Sequence, residues 1–555
     1  MSSRTLSTSI ALTVGLLITL ALPSAAQIYT QEQLIEDVRQ LAQIIEDVHP
    51  DPFLRCGGRI AFYRQVDAIL SAIPDQGMTR ESLGRLLRPL VASIGDSHTQ
   101  IWAGYKVGWV YPRGVPLRFG IVESALYVEA VHDEEELPLV GSRLLSVEGL
   151  GLSELMDRQR RLVATENEYH VLQELSSGTL LHEAYLEELI PEWVDHSSVR
   201  VGLQLPTGEH HDLVFDLPRA VIRAYGAGSQ ITLPRPDESG FLFDFIDPLM
   251  SGEEVGYLRV SHLNRYREDS EVCIAVGVYD MTDEELLAIP SATETFREMV
   301  LAMEERETDT LIVDLRGNDG GDSLMSDILI YSLYGADRLR KVMTVSSASG
   351  GGVVKRYSQM YLNSRRTLTL DGLSEGRDVP LQVGDYDFSA YYADDIERFE
   401  ELAADPEAIL YPFQRSYPRT PTFYEELVSE EHGGRYCPEN VIVLVDPGTF
   451  SSAFTMMRDL YRAGATLVGT PSGQASNVYG NALNYRLDHT GLEGIVSFSY
   501  YVEFPNDPDL GRLIPMHVPL TYEFLESTGF DPNAEMLLAL DWLEQDEMEA
   551  EEEGK

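Results

Sequence analysis

One stretch restricts what this chain can fold into more than any other: Asn440 to Leu460, Asn-Val-Ile-Val-Leu-Val-Asp-Pro-Gly-Thr-Phe-Ser-Ser-Ala-Phe-Thr-Met-Met-Arg-Asp-Leu. Val441 to Val445 is a short continuous apolar run rich in β-branched residues and stopped by Asp446-Pro447-Gly448, the pattern of a buried strand ending in a turn. A helix is predicted next, with Thr449 or Ser451 as its cap and Ala453, Met456, Met457 and Leu460 on its apolar face. Ser451 then stands at a helix N-terminus just beyond a buried strand, where free N–H groups and the positive end of the dipole favour a developing oxyanion. Two readings fit: Ser451 and Ser452 are caps, or Ser451 is a nucleophile.

A second unit of the same kind lies upstream. Thr308 to Asp314 reads as a continuous apolar strand, leading into Leu315-Arg316-Gly317-Asn318-Asp319-Gly320-Gly321 and a helix to about Tyr334. The turn is not a phosphate-binding Walker loop, since no Gly-Lys-Ser/Thr follows, and it lacks Gly-x-Gly-x-x-Gly spacing. Asn318, Asp319 and Asp322 do not have the spacing of an EF-hand calcium loop. What remains is a tight turn, or one whose glycines bring backbone N–H groups close to a substrate. Strands alternating with helices imply a parallel or mixed sheet with ligands at the carboxyl ends of its strands.

Ahead of these units the chain opens with helical periodicity over Gln31 to Val48, Ile60 to Ile73 and Thr79 to Ile94, a small helical lead domain. It runs into Gly95-Asp96-Ser97-His98-Thr99-Gln100-Ile101-Trp102, a polar cluster entering a strand. Among the histidines, His49 before Pro50 reads as a helix terminator and His210 and His211 as surface residues. Asp96-x-His98 has no second half that would complete a metal site. Short strands follow over Val115 to Leu155, mixed helix over Glu166 to Ile190 and a hairpin over Val199 to Phe215. Ser346 to Gly433 is the least regular segment and reads as an insertion near the site. Further strands are predicted at Ala465 to Gly469, Ala482 to Leu487 and Gly494 to Val502, a last helix over Pro532 to Leu543, and a disordered acidic tail from Asp546 to Lys555.

At 555 residues the chain exceeds one ordinary core, and two to four domains are expected. Residues 1–26 have the form of a secretory signal: Arg4, an apolar run from about Ile10 to Leu22, and small residues at Ser24 and Ala26 before a cleavage point at Gln27. The mature protein is therefore expected to be exported, periplasmic or extracellular, with no membrane span. A formal charge of −48, with only four lysines, argues against nucleic acid and anionic membrane surfaces as partners. It also suits a high-salt habitat that would screen the repulsion. The three cysteines, Cys56, Cys273 and Cys437, allow at most one disulfide and make structural zinc a poor fit.

Three pieces taken together, in this order, resemble the S41 peptidases, the tail-specific or C-terminal processing protease family. They are Ile94-Gly95-Asp96-Ser97-His98-Thr99 after a helical lead, Asp314-Leu315-Arg316-Gly317-Asn318-x-Gly320-Gly321 after a strand, and Thr449-Phe450-Ser451-Ser452-Ala453 after Val441 to Asp446. The resemblance extends from roughly Leu34 to Leu543. It implies an α/β fold with a crotonase-like or ClpP-like layered catalytic core at 236–545, an N-terminal helical domain at 27–102 and a PDZ-like mixed α/β region at 103–235. It also implies that Ser451 is the nucleophile and that the oxyanion hole comes from Ser452 and from Gly320 or Gly321.

The lysine base of the best-known branch is absent, since no lysine lies between Ser451 and Lys555. The branch that includes the tricorn protease core instead uses a histidine preceded by a serine, which Ser97-His98 matches, with a late acidic residue. Asp509 is the first candidate for that acid, with Asp507 and Glu503 as alternatives. An imidazole with an ordinary pKa of about 6.5 can accept the Ser451 proton near neutral pH. The implied protein is an exported serine endopeptidase acting on unfolded chains or peptides with no metal or organic cofactor. The alternatives are an inactive peptide- or ligand-binding relative and an esterase, the latter disfavoured because no Gly-x-Ser-x-Gly elbow occurs.

Overall fold

A computed structural model describes residues 27–102, 114–217, 224–236, 240–246, 254–264, 266–275, 280–348, 350–365, 368–375, 377–390 and 433–553. The proposed signal at 1–26 and the larger part of the expected insertion, 391–432, lie outside the described residues.

The centre of the molecule is a six-stranded sheet taken in chain order: Phe241–Ile246, Val255–Val260, Thr310–Asp314, Asn440–Val445, Thr466–Gly469 and Val518–Pro519. The first pair is antiparallel and every later neighbour is parallel. The continuous apolar runs follow from burial on both faces. Leu311, Val313, Val441, Val443 and Val445 pack on one side with Met299, Met325, Ile328, Met456 and Met457, which come from helices Ala292–Arg306, Leu324–Ala348 and Ser452–Ala463. Ile312, Ile442 and Leu444 face the other side, against Met536 and Leu540 of helix Ala534–Glu553.

Two further bodies flank this core. Helices Gln31–Val48, Arg59–Ala72 and Arg80–Ala92 form the expected lead domain, the first opening with a capping box between Thr30 and Gln33. Their core continues into Leu483, Tyr485, Val496 and Phe498 of a second sheet, in which Val478–Arg486 and Glu493–Val502 form a long antiparallel pair. Strand Gln100–Trp102, directly after His98, pairs with Glu493–Val502. Buried Asp37 in the first helix accepts the N–H groups of His489 and Thr490 at 3.0 and 2.8 Å, fastening helix to hairpin. The region after residue 114 forms a seven-stranded sheet with helices Leu152–Leu162, Glu168–Glu174 and Glu183–Leu189 around its own core.

Three expectations are corrected. The described part of the Ser346 to Gly433 segment is not irregular: Gly352–Arg356 joins the second sheet between Tyr386–Ala390 and Glu493–Val502, because Val353 and Val354 give it a short strand sequence that glycines had masked. The acidic tail is helical through Glu553, continuing the last helix as a run of Ala, Met and Glu, all good helix formers. The helix expected to stop near Tyr334 runs from Leu324 to Ala348, with a break at Gly335, where φ is 76°.

Candidate active site

Both turns after the central parallel strands sit at the same carboxyl edge, since Thr310–Asp314 and Asn440–Val445 are paired neighbours. Asp314 is buried between Arg316 and Arg259, with Tyr257 donating to it at 2.9 Å. Burial alone would raise the Asp314 pKa, but the two guanidinium groups hold it down at about 2, so the carboxylate anchors the glycine-rich turn. Asp446 accepts the Gly317 N–H at 2.8 Å, and Phe450 N–H donates to the Asn318 carbonyl at 2.8 Å, stitching one turn to the other.

Ser451 is the cap position of helix Ser452–Ala463, yet its side chain makes no capping bond. Its backbone has φ 53° and ψ −123°, a conformation that costs a non-glycine residue about 1–3 kcal/mol. The strain is held by Ser451 N–H donating to the Gln474 side chain and by Thr455 N–H donating to the Ser451 carbonyl. The capping reading is therefore set aside: the turn spends strain to aim the hydroxyl outward, away from its own helix.

That hydroxyl faces His98. The His98 Nε2 lies 3.5 Å from Ser451 Oγ, although the two residues are 353 positions apart. The His98 loop is placed by the hydrogen bonds of Asp96, whose carboxylate accepts from His98 N–H at 2.9 Å, from the Thr99 hydroxyl and from His49 at 3.2 Å. Burial would raise Asp96, but the hydrogen bond and charge of His49 bring it down to about 2. His49 is thus more than a helix terminator: its ring is fully buried, bonded to Asp96 and packed on Tyr479. Thr99 Oγ1 in turn accepts Ser497 N–H from the second sheet at 3.1 Å. Phe450, the neighbour of the serine, packs against the rings of both His98 and His170.

The carboxylate beside His98 is Glu166, a residue that sequence reasoning missed. One oxygen of Glu166, one of Asp96 and a ring nitrogen of His98 lie within 4.8 Å of one another. Ser97 donates to Glu166, and Ala475 N–H donates to its other oxygen at 2.7 Å. Burial raises the Glu166 pKa, with His98 and His170 pulling the other way. The neighbouring Asn167 fixes the loop by capping helix Glu168–Glu174 and donating to the Ser472 carbonyl at 3.0 Å. The one available signal was Glu-Asn ahead of a helix, and it does not point across 300 positions.

The late-acid candidates go elsewhere. Asp507 caps helix Pro508–Arg512, accepting from Asp509 N–H and Leu510 N–H. Asp509 is exposed in that first turn, with no hydrogen bond or ion pair to His98 among the described residues. Glu503 is buried against Arg458 and Arg462. The Asp509 assignment is therefore corrected: the short helix turns its carboxylate to solvent while Glu166 occupies the place beside the imidazole.

At the glycine-rich turn, Gly320 has φ 106° and packs so closely that a Cβ there would fall 2.7 Å from Ser451 Cβ and 2.8 Å from Ser452 N. Its own N–H is committed to the Asn318 side chain at 2.9 Å. The N–H groups of Gly321 and Ser452 have no partner among the described residues, while the Ser452 hydroxyl holds the Gly321 carbonyl at 2.7 Å. Gly320 thus serves close approach, and the free donors beside the serine are those of Gly321 and Ser452. A cavity of about 250 Å³ opens from this point, lined by His98, Ser451, Gln474 and Tyr479 and running along the helix to Arg458 and Arg462.

Residues 254–485 match the family model described as Peptidase family S41. The chain carries an S41 peptidase domain. The match begins after Asp96-Ser97-His98 and Glu166, so those residues enter the S41 site only through the fold. Among solved structures, mature CPAF is 14% identical, with 92% of this chain and 96% of that one covered at a TM-score of 0.53. Mature CPAF complexed with lactacystin gives 14% identity, 92% and 98% coverage and a TM-score of 0.52. These likenesses are to the whole α/β protease fold. No curated protein sequence matches this chain.

Proposed function

We propose that this protein is a serine endopeptidase of the S41 type. The observation that carries the reading is the 3.5 Å approach of His98 Nε2 to Ser451 Oγ on a strained turn. In the reaction Ser451 Oγ attacks the scissile carbonyl while His98 takes its proton, then returns it to the leaving amine. The tetrahedral oxyanion is held by the N–H groups of Ser452 and Gly321, in a site whose donors are already oriented. Glu166 stabilises the imidazolium formed at His98, with Ser97 and Ala475 N–H holding the carboxylate in place. His98 Nδ1 has no hydrogen-bond partner among the described residues, so Glu166 acts here by proximity of charge.

The substrate class is an unfolded chain or short peptide, and the seven-stranded body at 114–226 is read as a PDZ-like unit able to receive a chain end. Residues 1–26 are read as an export signal, placing the enzyme in the periplasm or outside the cell. Sequencing the N-terminus of exported protein tests this, Gln27 being the expected first residue.

The central test is labelling with a fluorophosphonate probe. Wild-type protein should label, and Ser451→Ala should lose both the label and peptide turnover by about 10⁴-fold or more. Labelling that is absent, or unchanged in Ser451→Ala, removes the hydrolase reading and leaves a peptide-binding relative. Faster turnover of simple esters than of any peptide would favour the esterase.

A further inference from the structure

The far end of the cavity beside Ser451 contains more negative charge than it can pair. Arg458 bonds Glu503 and Asp459 at 2.7 Å each, and Arg462 bonds Glu503 at 3.2 Å. Asp459 is completed by the Ser326 hydroxyl at 3.0 Å. The two guanidinium groups are thereby matched by two carboxylates. Asp327, on the facing helix Leu324–Ala348, lines the same cavity and has no hydrogen bond or ion pair among the described residues. Between Asp327 and the nucleophile the walls are apolar or aromatic, with Val342, Met343, Phe454, Val478 and Tyr479. An elongated pocket with apolar sides and an unmatched carboxylate at its end fits an aliphatic stem carrying a cation.

Resting on the reading of Ser451 as the nucleophile, we propose that Asp327 is a specificity-determining residue that selects a lysine or arginine side chain of the substrate next to the scissile bond. A neutral side chain of equal length would fill the apolar part and leave the carboxylate without a counter-charge. An acidic side chain would meet Asp327 directly and be rejected. The arginines do not reverse this preference, because their donors are held by Asp459 and Glu503.

The test uses full-length protein carrying Ser451→Ala, so that binding is read without cleavage, and peptides in which one lysine is moved through a neutral sequence beside norleucine and glutamate controls. At one position lysine should bind about tenfold tighter than norleucine, as one charge-assisted contact provides, and glutamate should bind most weakly. Adding Asp327→Asn should bring the lysine-to-norleucine ratio to about one, and Asp327→Glu should keep most of it. Equal binding of lysine and norleucine at every position overturns the proposal, as does a preference that survives Asp327→Asn in protein whose melting shows it folded. Failure of the peptidase reading would appear separately, as wild type that neither labels nor cleaves while the binding preference is still measurable.

Discussion

His98 Nε2 stands 3.5 Å from Ser451 Oγ, and no single element carries both. The imidazole arrives on the loop between the helical domain and strand Gln100–Trp102, the hydroxyl on the turn between a central strand and its helix. Their meeting depends on the pairing of Gln100–Trp102 with Glu493–Val502, which fastens the lead domain over the catalytic sheet.

Removing the base should therefore leave a folded, poorly reactive protein. His98→Ala is expected to lower kcat by about 10⁴-fold and to slow fluorophosphonate labelling in parallel, because the ring makes no bond that holds the core. The check is single-turnover kinetics alongside a thermal melt. A variant within about threefold of wild type would show that another group takes the proton.

Glu166 and Ser97 should behave as one unit. Glu166→Gln and Ser97→Ala are each expected to lower kcat by roughly 10²-fold with KM nearly unchanged, and the double variant should cost little more than either single one. Asp509→Asn, which alters only an exposed carboxylate, should leave turnover intact. A large loss in Asp509→Asn with none in Glu166→Gln would return the acid's role to the late segment.

Gly320→Ala tests the close approach of the two turns. The added methyl would lie 2.7 Å from Ser451 Cβ and 2.8 Å from Ser452 N, on a backbone at φ 106°. Stability is expected to fall by about 1–3 kcal/mol, and labelling to fall much more steeply, since the displaced atoms are the nucleophile and an oxyanion donor. Urea unfolding and labelling rates measured on the same preparation separate the two effects.

Two aspartates should shape stability against pH in opposite senses. Asp96 is held at about 2 in the folded protein, below its ordinary value of 3.8, so its contribution is present above about pH 4 and lost as pH falls towards 2. Asp327 is pushed up to about 8, by burial first and then by the charges of Asp459 and Asp322, with Arg458 opposing. A raised carboxyl binds a proton in the folded state that the unfolded chain has released, so its contribution declines as pH rises from about 4 through 8. Asp96→Asn should flatten the acid limb of the urea midpoint. Asp327→Asn should gain on wild type between pH 5 and pH 8.

Much of the catalytic half was legible before any coordinates. Val441 to Val445 and Thr310 to Asp314 read as buried strands because a parallel strand covered on both faces has no polar side to show. The helix carrying Ala453, Met456, Met457 and Leu460 declared itself by its period. Gly352–Arg356 escaped notice because a strand of five residues with one apolar pair acquires its identity from the neighbours it bonds.

By itself the sequence determined which local units exist: a strand, turn and helix ending in Ser451, a glycine turn that tolerates close contact, and a Ser97-His98 pair with no lysine to compete with it. Tertiary structure alone decided which carboxylate serves the imidazole, which glycine keeps a free N–H, and which aspartate ends the substrate pocket. The reason is physical. Local units follow from backbone preference and hydrophobic period over a few residues, which neighbours along the chain encode. The choice of Glu166 over Asp509, or of Gly321 over Gly320, depends on burial and hydrogen bonds between segments hundreds of residues apart, and those arise only when the domains close on one another.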